Sequence, residues 1–163
     1  MMLAYSVTAI SLSAGGLIVA AAGGALMTQL GPWYYALSQP KWKPPDWLFG
    51  PAWTTIFLAV CYSFVLAWEQ LPAGAARWRL FGLFALTGGL NTLWSYLFFA
   101  RRRPDHALLE IFPFYASLVL VTWTVAPLDR RAAWAFAPYL CWVAFATALN
   151  ISIVRRNAPF GTR

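Results

Sequence analysis

Tryptophan and proline crowd into residues 32–53 of this 163-residue chain, a stretch that holds four of its ten tryptophans. Proline fixes φ and removes a backbone donor, so the five prolines of this stretch exclude both a continuous helix and a central strand. Ordered aromatic loops of about 20 residues are usually lids or binding surfaces. We therefore expect residues 28–48 to form a rigid loop over a ligand site, with Trp53 beneath it.

Two asparagines stand in otherwise apolar runs, where an unpaired amide is costly and points to function. Asn91 lies near the middle of one run. In another, Trp142, Ala146 and Asn150 recur at four-residue spacing, which places all three on one stripe of a helix. An aromatic residue, a small residue and an amide in line describe the wall of a pocket. Hydrogen bonding between helices is the alternative explanation for each asparagine.

Residues for conventional catalysis are few in the sequence. The single histidine, His106, stands beside Asp105 and four residues before Glu110, a pattern more typical of a solvated helix start than of a metal site. The sequence shows no Ser/His/Asp set, no Cys/His nucleophile pair, no CxxC and no phosphate-binding glycine loop. We expect no metal ion and no obligatory cofactor.

The composition indicates which elements must position these residues. Hydrophobic residues make up 61% of the chain and charged residues only 10%, with a mean hydropathy of +0.60. Soluble domains carry about 25% charged residues, so this chain is predicted to lie in a membrane. It has five apolar runs, each near the roughly 20 residues that a helix needs to cross a bilayer. We predict an all-α integral membrane protein, a five-helix bundle that forms one domain over residues 1–163, with helices at about 3–27, 49–68, 80–100, 107–126 and 132–154.

Lysine and arginine are distributed unequally between the two ends of the predicted helices. The side of the N-terminus has four of these cations, whereas the side of the aromatic loop has eight. The positive-inside rule then favours a cytoplasmic loop and C-terminus in a bacterial cell membrane, although the rule does not apply to an outer membrane. This excess of cations on one side accounts for the net charge of +7. We expect these cations to contact anionic lipid headgroups. Nucleic-acid binding is not expected, because no matching motif is present.

Small residues recur at four-residue spacing in three of the predicted helices, where they allow close helix contact. The third predicted helix has three glycines at membrane depth, Gly82, Gly88 and Gly89. It is therefore our candidate for a homodimer seam, with packing inside one chain as the alternative. The first run lacks a positively charged start and is longer than the core of an export signal, so we expect it to be retained as a helix.

Three segments of the chain together resemble a known family. They are WYYALSQPKWKPPDWLFGPAWT at residues 33–54, LNTLWSYLFFARRRPDHALLEI at 90–111 and PYLCWVAFATALNISIVRRN at 138–157. Their order among five predicted spans is similar to that of the TspO/MBR family, the tryptophan-rich sensory proteins and translocator proteins related to the mitochondrial benzodiazepine receptor. The resemblance covers essentially the whole chain, and it is to the bacterial type.

The resemblance implies a bundle, commonly dimeric, with a pocket under the first loop that takes porphyrins such as protoporphyrin IX or haem, benzodiazepine-type ligands, and sterols in animal members. Residues that match the family's motif are implied to line this pocket. On the loop side they are Trp33, Tyr34 and Pro44, and on the membrane side they are Trp53, Asn91, Trp142 and Ala146. Lys41 and Lys43 are our own candidates for contact with porphyrin propionates.

Two features of the sequence refine the expected ligand. No histidine stands inside the predicted spans, so a tetrapyrrole is expected to be held by stacking and apolar contact rather than by an axial iron ligand. Ile151 stands where animal members have the tyrosine of a proposed cholesterol motif. Tetrapyrrole binding is therefore favoured over sterol binding.

Three functions fit these expectations. A porphyrin-binding sensor or regulator is favoured, because the aromatic pocket comes without a catalytic set. A transporter of porphyrins or other amphipathic molecules is the second, although a five-helix unit shows no inverted repeat. The third is an enzyme in which Trp53 and Trp142 take part in light-dependent oxidation of the bound porphyrin.

Overall fold

The computed structural model describes residues 5–161, so residues 3 and 4 of the first predicted helix and Arg163 lie outside the described part of the chain. The helices are α1 (Val7–Met27), α2 (Pro32–Ala36), α3 (Phe49–Glu69), α4 (Ala75–Ser95), α5 (Pro104–Val125) and α6 (Arg130–Asn157). A 3-10 turn at Asp46–Leu48 precedes α3, and a π-helical turn at Tyr96–Ala100 follows α4. Five of the helices are long and apolar enough to cross a membrane, and residues 5–161 contain no strand. The predicted fold class, an all-α bundle of five transmembrane helices, is confirmed.

Capping groups and prolines set the helix ends. The Ser6 hydroxyl accepts a hydrogen bond from the Ala9 N–H and donates one to Glu69 Oε1 at 2.6 Å, which ties the start of α1 to the end of α3. Asp129 caps α6 by accepting from the Arg131 N–H. Helix α5 starts with Pro104. N–H groups in the first turn of a helix have no partner within the helix, so a proline there breaks no hydrogen bond.

The five long helices form a closed ring in the order α1, α3, α6, α5, α4 and back to α1. The larger of two clusters of buried side chains lies toward the end of this ring that carries the short loops 70–74 and 126–129. Its most deeply buried side chains are Leu66, Leu118, Val121, Val125 and Phe136. Nearer the loop of residues 28–48, the ring encloses open space.

Helix α1 approaches α4 closely at two glycines. A Cβ on Gly23 would lie 3.1 Å from Thr92 Cγ2, and a Cβ on Gly88 would lie 3.9 Å from Ala20 Cβ. Gly88 therefore belongs to a contact inside the chain. A Cβ on Gly82 or Gly89 would meet nothing within 4 Å, so the homodimer seam stays a prediction that rests on these two open glycines.

Candidate ligand-binding site

A cavity of about 440 Å³ lies inside the ring beneath residues 28–48, and we call it the upper cavity. Its walls come from α1, α3, α4 and α6, with the loop as its roof. On α3, Phe49, Trp53 and Phe57 face it, because residues four apart share one face of a helix. On α6, Trp142 and Ala146 form the matching stripe. The side of the cavity facing α1 is made of small residues, which leaves room for a ligand.

The aromatic rings of this wall contact one another edge to face. The ring centroids of Trp53 and Trp142 are 6.2 Å apart with their planes at 76°, and Phe49 meets Trp142 at 5.5 Å and 74°. Phe57 lies tilted against Trp53 at 5.3 Å. Edge-to-face packing holds each ring in a fixed orientation. The α3 and α6 walls are therefore a rigid surface for a flat apolar group.

Helix α4 contributes the polar part of the wall. Asn91 is 3% exposed and lines the cavity, and its side-chain amide makes no hydrogen bond to any residue within 5–161. Only its main-chain carbonyl is used, accepting from the Ser95 hydroxyl at 3.3 Å. A buried amide without a protein partner is costly unless something else satisfies it. The Asn91 amide is thus available to a ligand.

Asn150 also lines the cavity, but its amide is occupied. In the amide orientation that satisfies its surroundings, its nitrogen donates to the Pro104 carbonyl at 3.1 Å and its oxygen accepts from the Leu108 N–H at 3.3 Å. These are main-chain groups in the first turn of α5. For Asn150, bonding between helices is therefore the reading that the geometry supports, in contrast to Asn91.

The roof is held by three side chains of the loop. The Tyr34 hydroxyl donates to Asp46 Oδ1 at 3.3 Å, the Lys43 ammonium forms an ion pair with the same carboxylate, and Lys43 Nζ lies 5.4 Å from the Tyr34 ring centroid. Burial raises the pKa of the Tyr34 hydroxyl, an effect that Asp46 reinforces and Lys43 opposes. Burial lowers the pKa of Lys43, but its hydrogen bonds to Asp46 and Tyr34 outweigh burial, so that this pKa is raised overall.

A separate contact ties the loop to the end of α6. The Ser38 N–H donates to Asn157 Oδ1 at 2.7 Å, and Asn157 Nδ2 donates to the Ser38 carbonyl at 3.0 Å. Asn157 therefore pairs with the loop backbone as a neighbouring strand would. This two-way contact fixes the height of the roof above the cavity.

The structure brings five of the predicted site residues to one cavity: Tyr34, Trp53, Asn91, Trp142 and Ala146. The other four stand outside its wall. Trp33 packs edge-on against Phe98 at 6.3 Å with the Arg102 guanidinium over its ring, and Pro44 is a partly buried loop residue. Lys41 is exposed, and Lys43 is engaged by Asp46. Contact between these lysines and propionates stays a prediction.

Several wall residues were not anticipated. Phe49 precedes Trp53 by four residues and Phe57 follows it by four. Helical spacing from Trp53 could therefore have predicted both of them. Asp46 is the only acidic residue of the loop, which singles it out among the neighbouring lysines. No lysine or arginine lines the cavity, so its walls are neutral apart from Asp46. Within residues 5–161, no three His, Cys, Asp or Glu side chains come together as a metal site.

The fold and this cavity define a polytopic membrane protein with an aromatic site beneath a tryptophan-rich loop. The sequence profile of the TspO/MBR family matches residues 8–156. The chain is 34% identical over 148 residues to the tryptophan-rich protein TspO of Chlorobaculum tepidum, a match that covers 86% of this chain and 90% of that protein. It is 36% identical over 129 residues to the human translocator protein, covering 77% and 75% of the two chains. The tryptophan-rich sensory protein of Cereibacter sphaeroides is 31% identical over 125 residues, covering 77% of each chain. The chain belongs to the TspO/MBR family.

Proposed function

We propose that the protein is a membrane sensor or regulator that binds a tetrapyrrole, such as protoporphyrin IX or haem, in the upper cavity. The observation that carries this proposal is the unpartnered Asn91 amide inside a cavity walled by Trp53 and Trp142. Sites for small molecules are apolar and aromatic, with a few polar groups that fix orientation, and occupy about 300–1,000 Å³. The upper cavity has this character. The chain's membership of the TspO/MBR family supports a tetrapyrrole as the class of ligand.

The chemistry of a porphyrin suits each part of this site. Its flat apolar macrocycle offers a large area to the tryptophan rings and to the small residues of α1. Its polar edge reaches the Asn91 amide or the rim of the loop, where Lys41 and Lys43 stand. Replacing both lysines by Gln is expected to weaken the binding of dicarboxylic porphyrins more than that of their esters. Equal effects on acid and ester would remove the lysines from the proposal.

Quenching of tryptophan fluorescence by protoporphyrin IX, in detergent and in the dark, tests the binding site. We expect saturable quenching that Asn91→Ala weakens about fivefold through the loss of one hydrogen bond, and that Trp142→Phe weakens to a lesser degree. Trp123→Phe is the matched control, because Trp123 is 76% exposed on the outer face of α5. Non-saturable quenching that is the same in all four proteins would mean that the porphyrin only partitions into the micelle.

A second candidate function is light-dependent oxidation of the bound porphyrin by dioxygen. It is favoured by one observation, the edge contact of two oxidisable indoles, Trp53 and Trp142, on the wall of the same cavity. We expect porphyrin absorbance to decay under light and oxygen in wild type and in Trp123→Phe. Persistence of this decay in the Trp53→Phe, Trp142→Phe double variant would rule out the tryptophan pair.

A further inference from the structure

A second cavity, of about 550 Å³, lies on the side of the upper cavity that faces away from the loop, and we call it the lower cavity. It is bounded by α1, α3, α4 and the start of α6. Phe57 lines both cavities and, with the close approach of α1 to α4 at Gly23 and Thr92, separates them. The proposed tetrapyrrole site does not use the lower cavity.

The wall of the lower cavity provides almost nothing for a polar ligand to bind. No charged residue lines it. The Thr87 and Thr92 hydroxyls donate to carbonyls of their own helix at 3.0 and 3.1 Å, as the Ser13 hydroxyl does at 2.9 Å. The Cys61 thiol donates to the Ser13 carbonyl at 3.3 Å. The Ser11 and Tyr139 hydroxyls also line the cavity, and neither has a hydrogen-bond partner within residues 5–161. The rest of the wall is mainly phenylalanine rings and aliphatic groups, which favours a mostly hydrocarbon occupant.

The lower cavity opens sideways between α1 and α4, at membrane depth. Its border there consists of residues with little or no side chain, namely Gly15, Gly16, Ala85 and Gly89, and all four are exposed. Both helices are among those that cross the membrane. The opening therefore faces the hydrocarbon of the bilayer rather than water.

The shape of the opening decides between two apolar occupants. A helix of a second chain is about 10–12 Å across with its side chains. Such a helix can cover the opening, but it cannot enter between α1 and α4. These two helices lie so close together that a Cβ on Gly88 would be 3.9 Å from the Cβ of Ala20. The cavity extends inward as far as Phe136 and Tyr139 on α6. A thin, flexible chain can enter such a space, whereas a whole helix cannot.

We propose that the lower cavity is a lipid site that takes one acyl chain of a membrane phospholipid from the leaflet on the side of loops 70–74 and 126–129. The chain enters between α1 and α4 at the glycine border and lies against Phe64, Phe84 and Tyr139. The phospholipid headgroup stays at the membrane surface. This inference does not depend on the proposed porphyrin site.

Photolabelling in vesicles tests the lipid site. The full chain is reconstituted with phosphatidylcholine that carries a diazirine within one acyl chain, irradiated, and digested for mass spectrometry. We expect label on Phe64 and Tyr139, which line the cavity, are 3% and 4% exposed, and are not contacted by lipid on the outside of the bundle. Label confined to outward residues such as Val119 and Trp123 would overturn the proposal.

A pair of glycine variants separates this site from general lipid contact. Gly16 lines the cavity and a Cβ there meets nothing within 4 Å, so Gly16→Leu adds a large side chain at the border of the cavity with no clash at its Cβ. Because that side chain takes the room of several methylene groups, labelling of Tyr139 is expected to fall about tenfold. Gly82→Leu is the matched control, since Gly82 is equally open but does not line the cavity, and labelling should be unchanged.

Two further readouts keep this test decisive. Thermal unfolding verifies that both variants fold, and if Gly16→Leu does not, the positions labelled in wild type decide alone. Chemical cross-linking in the same vesicles tests the alternative occupant, a helix of a second copy of the chain. A dimer that Gly89→Leu dissociates, together with unlabelled Phe64 and Tyr139, would show that another copy of the chain covers the opening and that no acyl chain enters.

Discussion

At the scale of single residues, Asp46 decides how the loop is held over the upper cavity. Its carboxylate receives the Tyr34 hydroxyl and the Lys43 ammonium, and the ammonium in turn lies over the Tyr34 ring. The three groups satisfy one another at the edge of an apolar cavity. Tyr34 can therefore present its ring to the cavity while its hydroxyl is satisfied at the roof.

This trio predicts a loss of stability at alkaline pH. The pKa values of Lys43 and Tyr34 are both raised in the folded protein, so folding favours their protonated forms. Such a contribution is complete below the unfolded pKa values, about 10.4 for lysine and about 10 for tyrosine, and is lost as the pH rises through the folded values. Thermal stability is therefore expected to be level through neutral pH and to fall above about pH 10.

The measurement is the midpoint of thermal unfolding in detergent between neutral pH and about pH 11.5. The double variant Lys43→Met, Tyr34→Phe should show a flatter alkaline decline than wild type, because the two groups that titrate there are gone. Lys41→Met is the control, since Lys41 is an exposed lysine of the same loop. If all three proteins lose stability in parallel, the trio does not hold the roof.

Among the elements of the fold, the loop is joined to the end of α6 by the side chain of Asn157. Two hydrogen bonds join its side chain to the backbone of Ser38, and a third, to the Ile153 carbonyl at 2.8 Å, orients the amide. The loop of residues 28–48 has only one short helix, so such contacts must supply its order. The position of the roof is thus set from the far end of the chain.

Asn157→Ala is expected to loosen the roof without changing the cavity wall. Losing two partly exposed hydrogen bonds costs about 1–2 kcal/mol, which corresponds to a rise of about 5- to 30-fold in the dissociation rate of bound porphyrin. Stopped-flow displacement measures that rate, and amide hydrogen exchange of residues 37–48 should rise with it. Arg155→Ala, an exposed neighbour on α6, should leave both unchanged. Unaltered dissociation in Asn157→Ala would mean that the loop is not the exit barrier.

Hydropathy predicted the long helices, because only a helix satisfies a backbone of about 20 residues in hydrocarbon. It marks their ends poorly. Helix α4 begins at Ala75, so it includes Arg77 and Arg79, which precede the apolar run. At its other end it continues into the π-turn at Tyr96–Ala100, and nothing in the composition marks that change. Helix α5 starts at Pro104 because proline is favoured in a first turn.

The candidate site was predictable where it lies on helices and much less so where it lies on the loop. Trp142 and Ala146 share a stripe by spacing alone, and the same rule finds Phe57 from Trp53. In the loop, no such period exists. The adjacent residues Trp33 and Tyr34 therefore looked equivalent, yet only Tyr34 lines the cavity, and the pairing of Lys43 with Asp46 depends on a turn that the sequence does not specify.

At the level of the whole molecule, the ring contains one cavity beneath the loop and another toward the opposite end, and its outside is apolar. Large side chains such as Ile18, Phe112, Trp123 and Trp134 are 66–77% exposed. A surface of this kind is stable only in lipid. The chain is an integral, multi-pass membrane protein, and the inequality of its loop cations predicts a cytoplasmic roof and C-terminus.

Cysteine accessibility tests this orientation. In a Cys61→Ser, Cys141→Ser background, Ala36→Cys places a thiol on the loop of residues 28–48, and Ala73→Cys places one in the loop between α3 and α4. Both alanines are exposed. A membrane-impermeant maleimide added to intact cells should label Ala73→Cys and spare Ala36→Cys until the cells are lysed. The reverse pattern would contradict the predicted orientation.

Circular dichroism in the Soret band tests whether a tetrapyrrole occupies the upper cavity. Protoporphyrin IX is achiral and acquires a signal only when a protein site fixes its orientation. Ala146 lines the cavity, whereas Ala148 is exposed on the same helix and does not. We predict an induced signal that saturates in wild type, persists in Ala148→Phe and disappears in Ala146→Phe, whose ring fills the cavity. No induced signal, or the same signal in all three proteins, would contradict the account.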